Sequence, residues 1–169
     1  QTVKTGSTVL SQLSSEIGQH SYGSGFDIRY LPYVATTTDS QNTVSGQLEK
    51  TTSTVFQFDL YGNLTEQDAV ITDTASNIHR IAERRTFLND TSSWCIGKET
   101  SSSTTITLPN GDSETRSKSA EFEPTYCRVK KAIDQPNTSI AVTTEFQYDA
   151  WGNQSIIDVT GAGMVTRRT

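Results

Sequence analysis

The sequence predicts an all-β fold, an antiparallel strip of consecutive β-hairpins. Three observations carry this prediction. Hydrophobic residues make up 33% of the chain and the mean hydropathy is −0.50. Such a composition favours a sheet with one solvent-exposed face over a protein with a deep apolar core. Apolar and polar residues alternate in many segments, with Thr, Val, Ile, Tyr and Phe as the strand formers. A ten-residue pattern also occurs twice.

The repeated pattern runs from Phe56 to Thr65 as FQFDLYGNLT and returns from Phe146 to Ser155 as FQYDAWGNQS. Alternate aromatic residues lie on one face of a strand, and Asp then begins a turn with Gly three residues later. The Asp side chain accepts hydrogen bonds from the turn backbone, and Gly adopts the left-handed conformation that a type I turn with a G1 bulge requires. Each copy therefore predicts a hairpin whose structural turn residues are Asp59, Gly62, Asn63, Asp149, Gly152 and Asn153.

Residues 1–25 form a poorly defined N-terminal segment. Val9, Leu10, Leu13 and Ile17 have the spacing of one face of a short helix, and the same residues also fit an edge strand. The hairpin segment extends over residues 26–169. In its first strand Pro32 indicates a strand edge, a bulge or a strand start, because proline cannot donate to the ladder.

Further hairpins follow along the chain. Turn residues occur at 39–42, 73–77 and 135–137, and Asn110-Gly111 between alternating runs is the strongest hairpin signal in the sequence. The charged segment 78–88 has a composition that a helix would tolerate. Its position between hairpins and its lack of a helical apolar stripe favour a strand.

The charge and hydropathy exclude several classes of protein. The net charge of −5 and the pI of about 5.0 argue against nucleic-acid binding. No apolar run approaches the roughly 20 residues that span a bilayer, and no signal peptide opens the sequence. Because the chain begins at Gln1, we expect it to be an excised piece or a processed product.

The two cysteines, Cys95 and Cys127, lack the C-x-x-C spacing of metal sites, and two histidines are too few for a zinc centre. Each cysteine lies in strand-like sequence. Two half-buried thiols are the favoured interpretation. A single disulfide is the alternative, and it requires a separation that a bridge can span.

The sequence predicts no catalytic residue, cofactor or metal. A Ser-His-Asp set can be drawn around His20 or His79 in any chain so rich in serine, so the pattern carries no weight without geometry. Asp59 and Asp149 mimic a carboxylate pair, but their turn positions explain them better. No phosphate-binding loop or calcium loop occurs.

The repeat resembles the YD repeat of the RHS family, whose core is Tyr-Asp-x-x-Gly. The residues that carry the resemblance are Phe58–Thr65 and Tyr148–Asn153. The segments Leu31–Val34 and Phe87–Lys98 are similar to the connecting segments between YD repeats, so the resemblance covers about residues 26–169. Phe58 stands where the family usually has Tyr and keeps the aromatic character. Ser155 stands where the family usually has Thr and keeps the hydroxyl group.

This resemblance implies a segment of the hollow β-sheet shell that bacterial RHS and toxin-complex proteins wind around a toxic C-terminal polypeptide. It implies a secreted or cell-surface location and two kinds of partner, the neighbouring YD repeats of the same polypeptide and the encapsulated toxin domain. No match to the family's aspartate-dependent self-cleavage region is found. An isolated section of such a strip exposes its ends, so we expect an edge-strand homodimer or marginal stability.

The alternative function is carbohydrate binding by a β module at a cell surface. Tyr61, Trp94 and Trp151 lie at predicted turns or strand ends, where an exposed ring can stack on a sugar. The competing interpretation is that these rings pack against the next hairpin, which the regular spacing favours.

Overall fold

The computed structural model describes residues 1–23, 26, 28–161, 163 and 167–168. The described residues form twelve β-strands and no α-helix. The strands are β1 Thr2–Thr5, β2 Thr8–Tyr22, β3 Arg29–Asn42, β4 Leu48–Phe58, β5 Leu64–Asp73, β6 Ile78–Asp90, β7 Cys95–Thr107, β8 Ser113–Phe122, β9 Val129–Asp134, β10 Val142–Tyr148, β11 Gln154–Gly161 and β12 Arg167–Arg168. The predicted all-β fold is confirmed.

The order of the strands in the sheet follows their order in the chain. The strand pairs within β1–β5 and within β8–β12 are all antiparallel, as expected for hairpins joined by short turns. The chain divides into two compact units. The first contains Gln1–Glu83 and Thr105–Glu114, and the second contains Arg84–Thr104 and Thr115–Thr169.

In the first unit, the N-terminal segment is a strand. β2 pairs with β3 from Ser11↔Gln41 to Tyr22↔Arg29, so the short helix suggested by the spacing of Val9, Leu10, Leu13 and Ile17 is wrong and the strand alternative holds. The apolar spacing did not mark a buried helical face, since Leu13 and Ile17 are exposed. Pairing with β1 up to Gln12 and with β3 from Ser11 to Tyr22 holds this segment as a strand instead.

Pro32 lies in β3 opposite Gln19 of β2. The pairing of β3 with β4 extends over Thr36–Asn42, so Pro32 lies beyond the part of β3 that has strands on both sides. A register shift between Glu16 and Ile17 of β2 marks a bulge close by. The missing N–H of proline therefore removes no bond to β4, and the prediction of an edge or bulge position is confirmed.

The charged segment after residue 77 is strand β6, as the sequence predicted. Its charges pair across strands: Arg80 Nη2 lies 3.1 Å from Asp68 Oδ2, and Arg85 Nε lies 3.9 Å from Glu99 Oε2. Exposed pairs of this kind contribute at most about 1 kcal/mol each. They explain the charge content of β6 without a helix, because opposite charges on neighbouring strands are favourable.

Burial is sparse in the described part of the chain. The buried residues are Ala69, Cys95 and Thr54, and Thr54 and Ala69 face each other directly across β4 and β5. Ladder hydrogen bonds and cross-strand side-chain pairs therefore contribute more of the stability here than a thick apolar core does.

In the second unit, Gln135 ties the turn after β9 back to β8. Its backbone N–H donates to Ser117 O at 2.8 Å, and its side-chain Oε1 accepts the Ser117 N–H at 3.0 Å. Gln135 has φ of 52°, so this turn residue leaves the extended conformation while bonding to a neighbouring strand.

The free edge of β2 leads to a prediction. Gln1 exchanges backbone hydrogen bonds with Leu13 at 2.7 and 2.8 Å. From Ser14 to Tyr22, β3 is the strand that pairs with β2 among the described residues. We expect the chain to associate through this edge, and Ile17→Lys to abolish the association because an edge lysine disfavours strand addition.

Light scattering after gel filtration over a range of concentrations measures this association. Val44→Lys, at an exposed turn position, is the matched control and should leave it intact. A sharply melting monomer at every concentration would contradict the expectation.

Candidate functional site

The first repeat turn is held by one carboxylate. The Asp59 N–H donates to Asn63 O at 2.9 Å, and the Gly62 N–H donates to Asp59 O at 3.1 Å. Asp59 Oδ1 accepts the N–H groups of Tyr61 and Asn63, both at 2.9 Å, and Oδ2 accepts Asn63 Nδ2 at 2.8 Å. Gly62 has φ of 83°, the left-handed conformation of a G1 bulge.

The second repeat turn has the same geometry. Asp149 Oδ1 accepts the N–H groups of Trp151 and Asn153 at 2.9 Å, and Asn153 Nδ2 donates to Oδ2 at 3.2 Å. The backbone bonds from Asp149 to Asn153 and from Gly152 to Asp149 measure 2.9 and 3.1 Å. The sequence repeat is therefore a repeat of one hydrogen-bonded turn.

A third copy joins β5 to β6 and was missed as a repeat. Asp73 Oδ1 accepts the N–H groups of Ala75 and Asn77 at 2.9 Å, and its Oδ2 accepts Asn77 Nδ2 at 2.8 Å. Ser76, with φ of 62°, occupies the place of the glycine. The spacing Asp-x-x-x-Asn was the signal that would have found it, because the carboxylate and amide make the turn bonds without glycine.

Two more turns use the same backbone pattern without the aspartate. The first lies at 43–47, so the turn predicted at 39–42 is wrong, because those residues end strand β3 and pair with β4. Thr43 and Leu108 bond to the fourth residue after them, Gln47 and Asp112, at 2.8 Å each. Each turn has glycine in the left-handed position, Gly46 and Gly111. In the first of them the Thr43 hydroxyl accepts the Gln47 N–H at 3.2 Å, so it substitutes for the carboxylate.

The turn carboxylates are held in their ionised form. The hydrogen bond from the Asn77 side chain lowers the pKa of Asp73, and that from Asn153 lowers the pKa of Asp149. Hydrogen bonds from the Ser92 and Ser93 side chains lower the pKa of Asp90 to about 2. Because these pKa values are lowered on folding, the stabilisation is complete above the unfolded value near pH 4 and is lost as the pH falls through the folded values.

These carboxylates are poorly suited to acid or base catalysis. Asp59 and Asp149 each accept two backbone N–H groups and one amide from their own turn. For Asp149 these bonds lower the pKa, whereas a general base near neutral pH needs a raised one. His20 is likewise held in place, with Nε2 lying 3.1 Å from Phe58 O and the ring stacked on Tyr33 at 4.8 Å.

In both repeats a side chain from another strand or turn lies against the turn glycine. A Cβ built on Gly62 would lie 3.3 Å from Cδ2 of Leu31, and one on Gly152 would lie 3.2 Å from Nη1 of Arg128. The glycine is therefore needed twice, for its positive φ and for the room it leaves.

The aromatic residue before each turn aspartate is also packed. Phe58 contacts the Tyr33 ring at 5.1 Å in the first unit, and the Tyr22 hydroxyl donates to the carbonyl of Leu60. In the second unit the Tyr148 hydroxyl donates to Val129 O at 2.7 Å. These contacts fix each repeat turn against neighbouring strands.

Cys95 and Cys127 form a disulfide, with Cα atoms 5.5 Å apart. The favoured interpretation of two half-buried thiols is wrong, and the bridged alternative holds. The bridge joins the first residue of β7 to the turn between β8 and β9, and Cys95 is 2% exposed. Their separation of 32 residues gave no sign of this proximity, which depends on β7 and β8 being neighbours.

The turn after β8 is organised by a glutamate. Glu123 Oε1 accepts the N–H of Tyr126 at 2.9 Å and the Nε–H of Arg128 at 3.0 Å, and Oε2 accepts the Thr125 N–H at 3.0 Å. Desolvation raises the pKa of Glu123, but the hydrogen bonds from Arg128 and the turn backbone outweigh it and lower the pKa overall. The carboxylate thus holds both the turn and the guanidinium.

Arg128 lies against two aromatic rings. Its guanidinium carbon is 4.7 Å from the centroid of Tyr126 and 4.3 Å from that of Tyr148, within the range of cation–π attraction. Together with Asp149, Ala150, Trp151 and Gly152, the side chains of Tyr126 and Arg128 line an open cleft of about 560 Å³. Sequence reasoning missed Tyr126 and Arg128 and did not place Tyr148 beside them, because their proximity depends on which strands are neighbours.

The three rings proposed for sugar stacking are exposed. Trp151 is 89%, Trp94 82% and Tyr61 50% exposed. Trp151 lines the cleft beside Arg128, whereas Trp94 and Tyr61 do not. Trp94 has φ of 57° and directly precedes the bridged Cys95. The two tryptophan rings therefore do not pack against another hairpin within the described residues.

Among the described residues, no group of three or more His, Cys, Asp or Glu side chains is arranged to hold a metal ion. No helix of the described chain has the length and apolar character to cross a membrane.

The turn glycines provide a matched pair of variants. Gly152→Ala and Gly111→Ala both place a Cβ at φ near 90°, but only Gly152 has a neighbour within 4 Å, the Arg128 side chain. We expect about 1–3 kcal/mol of destabilisation from the backbone conformation in each, and a larger loss for Gly152→Ala because Arg128 must move. Urea midpoints measure both variants; equal losses would show that the contact with Arg128 is unimportant.

Comparison of the sequence with protein-family models and with curated proteins gives no match. The likeness to the RHS family therefore rests on the repeat residues and their connecting segments.

Proposed function

We propose that this chain is a non-enzymatic structural segment of an RHS/YD-repeat shell that encapsulates or delivers a toxic polypeptide. The observation that carries the proposal is the recurrence of one turn at Asp59, Asp73 and Asp149 with the same carboxylate hydrogen bonds. A recurring turn that joins successive strands suits a wall built by repetition.

The sparse burial supports the same role. A protein that buries few side chains depends on its neighbours for stability, as repeat proteins do. Because the order of the strands in the sheet follows their order in the chain, further hairpins can extend the sheet at either end. The partners on this proposal are the neighbouring YD repeats of the same polypeptide and the toxin domain that they enclose.

The disulfide supports a secreted or cell-surface location; that the source is a bacterium rests on the resemblance to the RHS family alone. Disulfides persist in oxidising environments such as the periplasm and the cell exterior. The bridge between Cys95 and Cys127 suits a shell that leaves the cytoplasm.

The test uses the full product of the gene, imaged by electron microscopy and treated with protease. We expect a hollow particle and a protected internal polypeptide. The triple variant Asp59→Ala, Asp73→Ala and Asp149→Ala should lose this protection because three turns are weakened together. Asp134→Ala, which removes an exposed pair with Lys118 at 3.5 Å, is the control and should retain it. A solid particle without a protected polypeptide would contradict the shell.

Carbohydrate binding at a cell surface is the second candidate function. The observation that favours it is the exposure of Trp151 at the rim of a cleft that also contains a guanidinium and a carboxylate. Exposed aromatic rings beside polar groups are suited to sugar rings, which have apolar faces and hydroxyl edges.

A further inference from the structure

We propose that the cleft formed by Tyr126, Arg128, Asp149, Ala150, Trp151 and Gly152 binds a neutral hexose oligosaccharide, with Trp151 as the stacking ring and Arg128 as the hydroxyl-binding group. This proposal rests on the second candidate function and gives it a site and a ligand class. It is independent of the shell role.

The guanidinium of Arg128 is fixed in place and has donors to spare. Its Nε–H is taken by Glu123, and the Tyr126 and Tyr148 rings contact the group. Among the described residues, no side chain or backbone oxygen accepts from Nη1 or Nη2. Arginine carries five N–H donors, so the hydrogens on the two terminal nitrogens remain available to a ligand at the cleft.

The aromatic walls of the cleft are open to solvent. Trp151 is 89% exposed and Tyr126 is 71% exposed, yet the backbone beneath Trp151 is held by the Asp149 carboxylate. A rigid turn that presents an exposed indole loses little conformational freedom when a ligand stacks on it. The volume of about 560 Å³ is within the range of small-molecule sites.

The charges select against acidic ligands. The guanidinium of Arg128 is already paired with Glu123 at 3.0 Å, and Asp149 adds a second carboxylate at the cleft. Two carboxylates and one guanidinium leave a net negative charge, which repels a uronate or a phosphate. Donors on Arg128 and the Oδ2 atom of Asp149, which accepts only the Asn153 amide from its own turn, together match a hydroxyl group, which both donates and accepts.

The two tryptophans of the chain provide the experiment. Trp94→Phe leaves Trp151 as the single indole reporter, and Trp151→Phe leaves Trp94, which is similarly exposed but lies outside the cleft. Each variant is titrated with maltotriose, cellotriose and trigalacturonic acid while the indole emission is followed. Circular dichroism checks that each variant retains its fold.

We expect maltotriose or cellotriose to shift the emission of Trp94→Phe saturably, with a Kd on the order of 1 mM. Trigalacturonic acid should bind more weakly. Adding Arg128→Lys should weaken the neutral ligand about tenfold, because lysine keeps the charge but loses the planar set of donors. The emission of Trp151→Phe should not change.

Three results would overturn the site. A response confined to trigalacturonic acid would refute the neutral ligand class. A response from Trp94 in Trp151→Phe would place sugar binding elsewhere on the chain and leave the candidate function standing. No saturable response of either indole to any of the three oligosaccharides would remove both the site and the carbohydrate function, without bearing on the shell.

Discussion

The hydrogen bonds from the turn backbone to one aspartate carboxylate are the interaction on which this structure depends. At Asp59, Asp73 and Asp149 a single side chain accepts two backbone N–H groups and the amide of the asparagine four residues later. These bonds close the hairpin and thereby set which residues of the two strands face each other. Few side chains are buried, so core packing does little to fix the pairing register of the strands. The hydrogen bonds within the turns therefore contribute more to specifying the fold.

A second level of organisation joins the hairpins to their neighbours. The glycine of each YD-like turn leaves room for a side chain from elsewhere in the same unit, Leu31 at Gly62 and Arg128 at Gly152. The aromatic residue before the aspartate is fixed by another contact, through Tyr33 for Phe58 and through Val129 for Tyr148. In the second unit the disulfide adds a covalent link between the start of β7 and the turn after β8. The same arrangement that positions Arg128 for packing also opens the cleft beside Trp151.

The elements that the sequence predicted well are those controlled by local chemistry. Asn110-Gly111 and the Asp-x-x-Gly-Asn turns depend on neighbouring residues, and both form as expected. The turn at 73–77 was predicted, but its likeness to the two repeat turns was overlooked because Ser76 replaces glycine, although the carboxylate bonds are the same. The N-terminal helical spacing failed because strand pairing, a non-local interaction, outweighs a weak apolar period.

The candidate site was only partly predictable for the same reason. Trp151 was recognisable at a turn, but the Arg128 contacts with Tyr126 and Tyr148 require strands β8 to β10 to be adjacent. The disulfide likewise follows from the pairing of strands rather than from cysteine spacing. Sequence identifies the turns as units, and the sheet order decides which of their side chains meet.

The most direct test of the turn carboxylates is a titration followed by carboxyl ¹³C NMR. If these groups accept the turn hydrogen bonds, the pKa values of Asp73 and Asp149 will lie below the ordinary 3.8 and that of Asp90 will lie at about 2. Values at or above 3.8 for Asp73 and Asp149 would show that the turns form without their carboxylates, and would contradict the account.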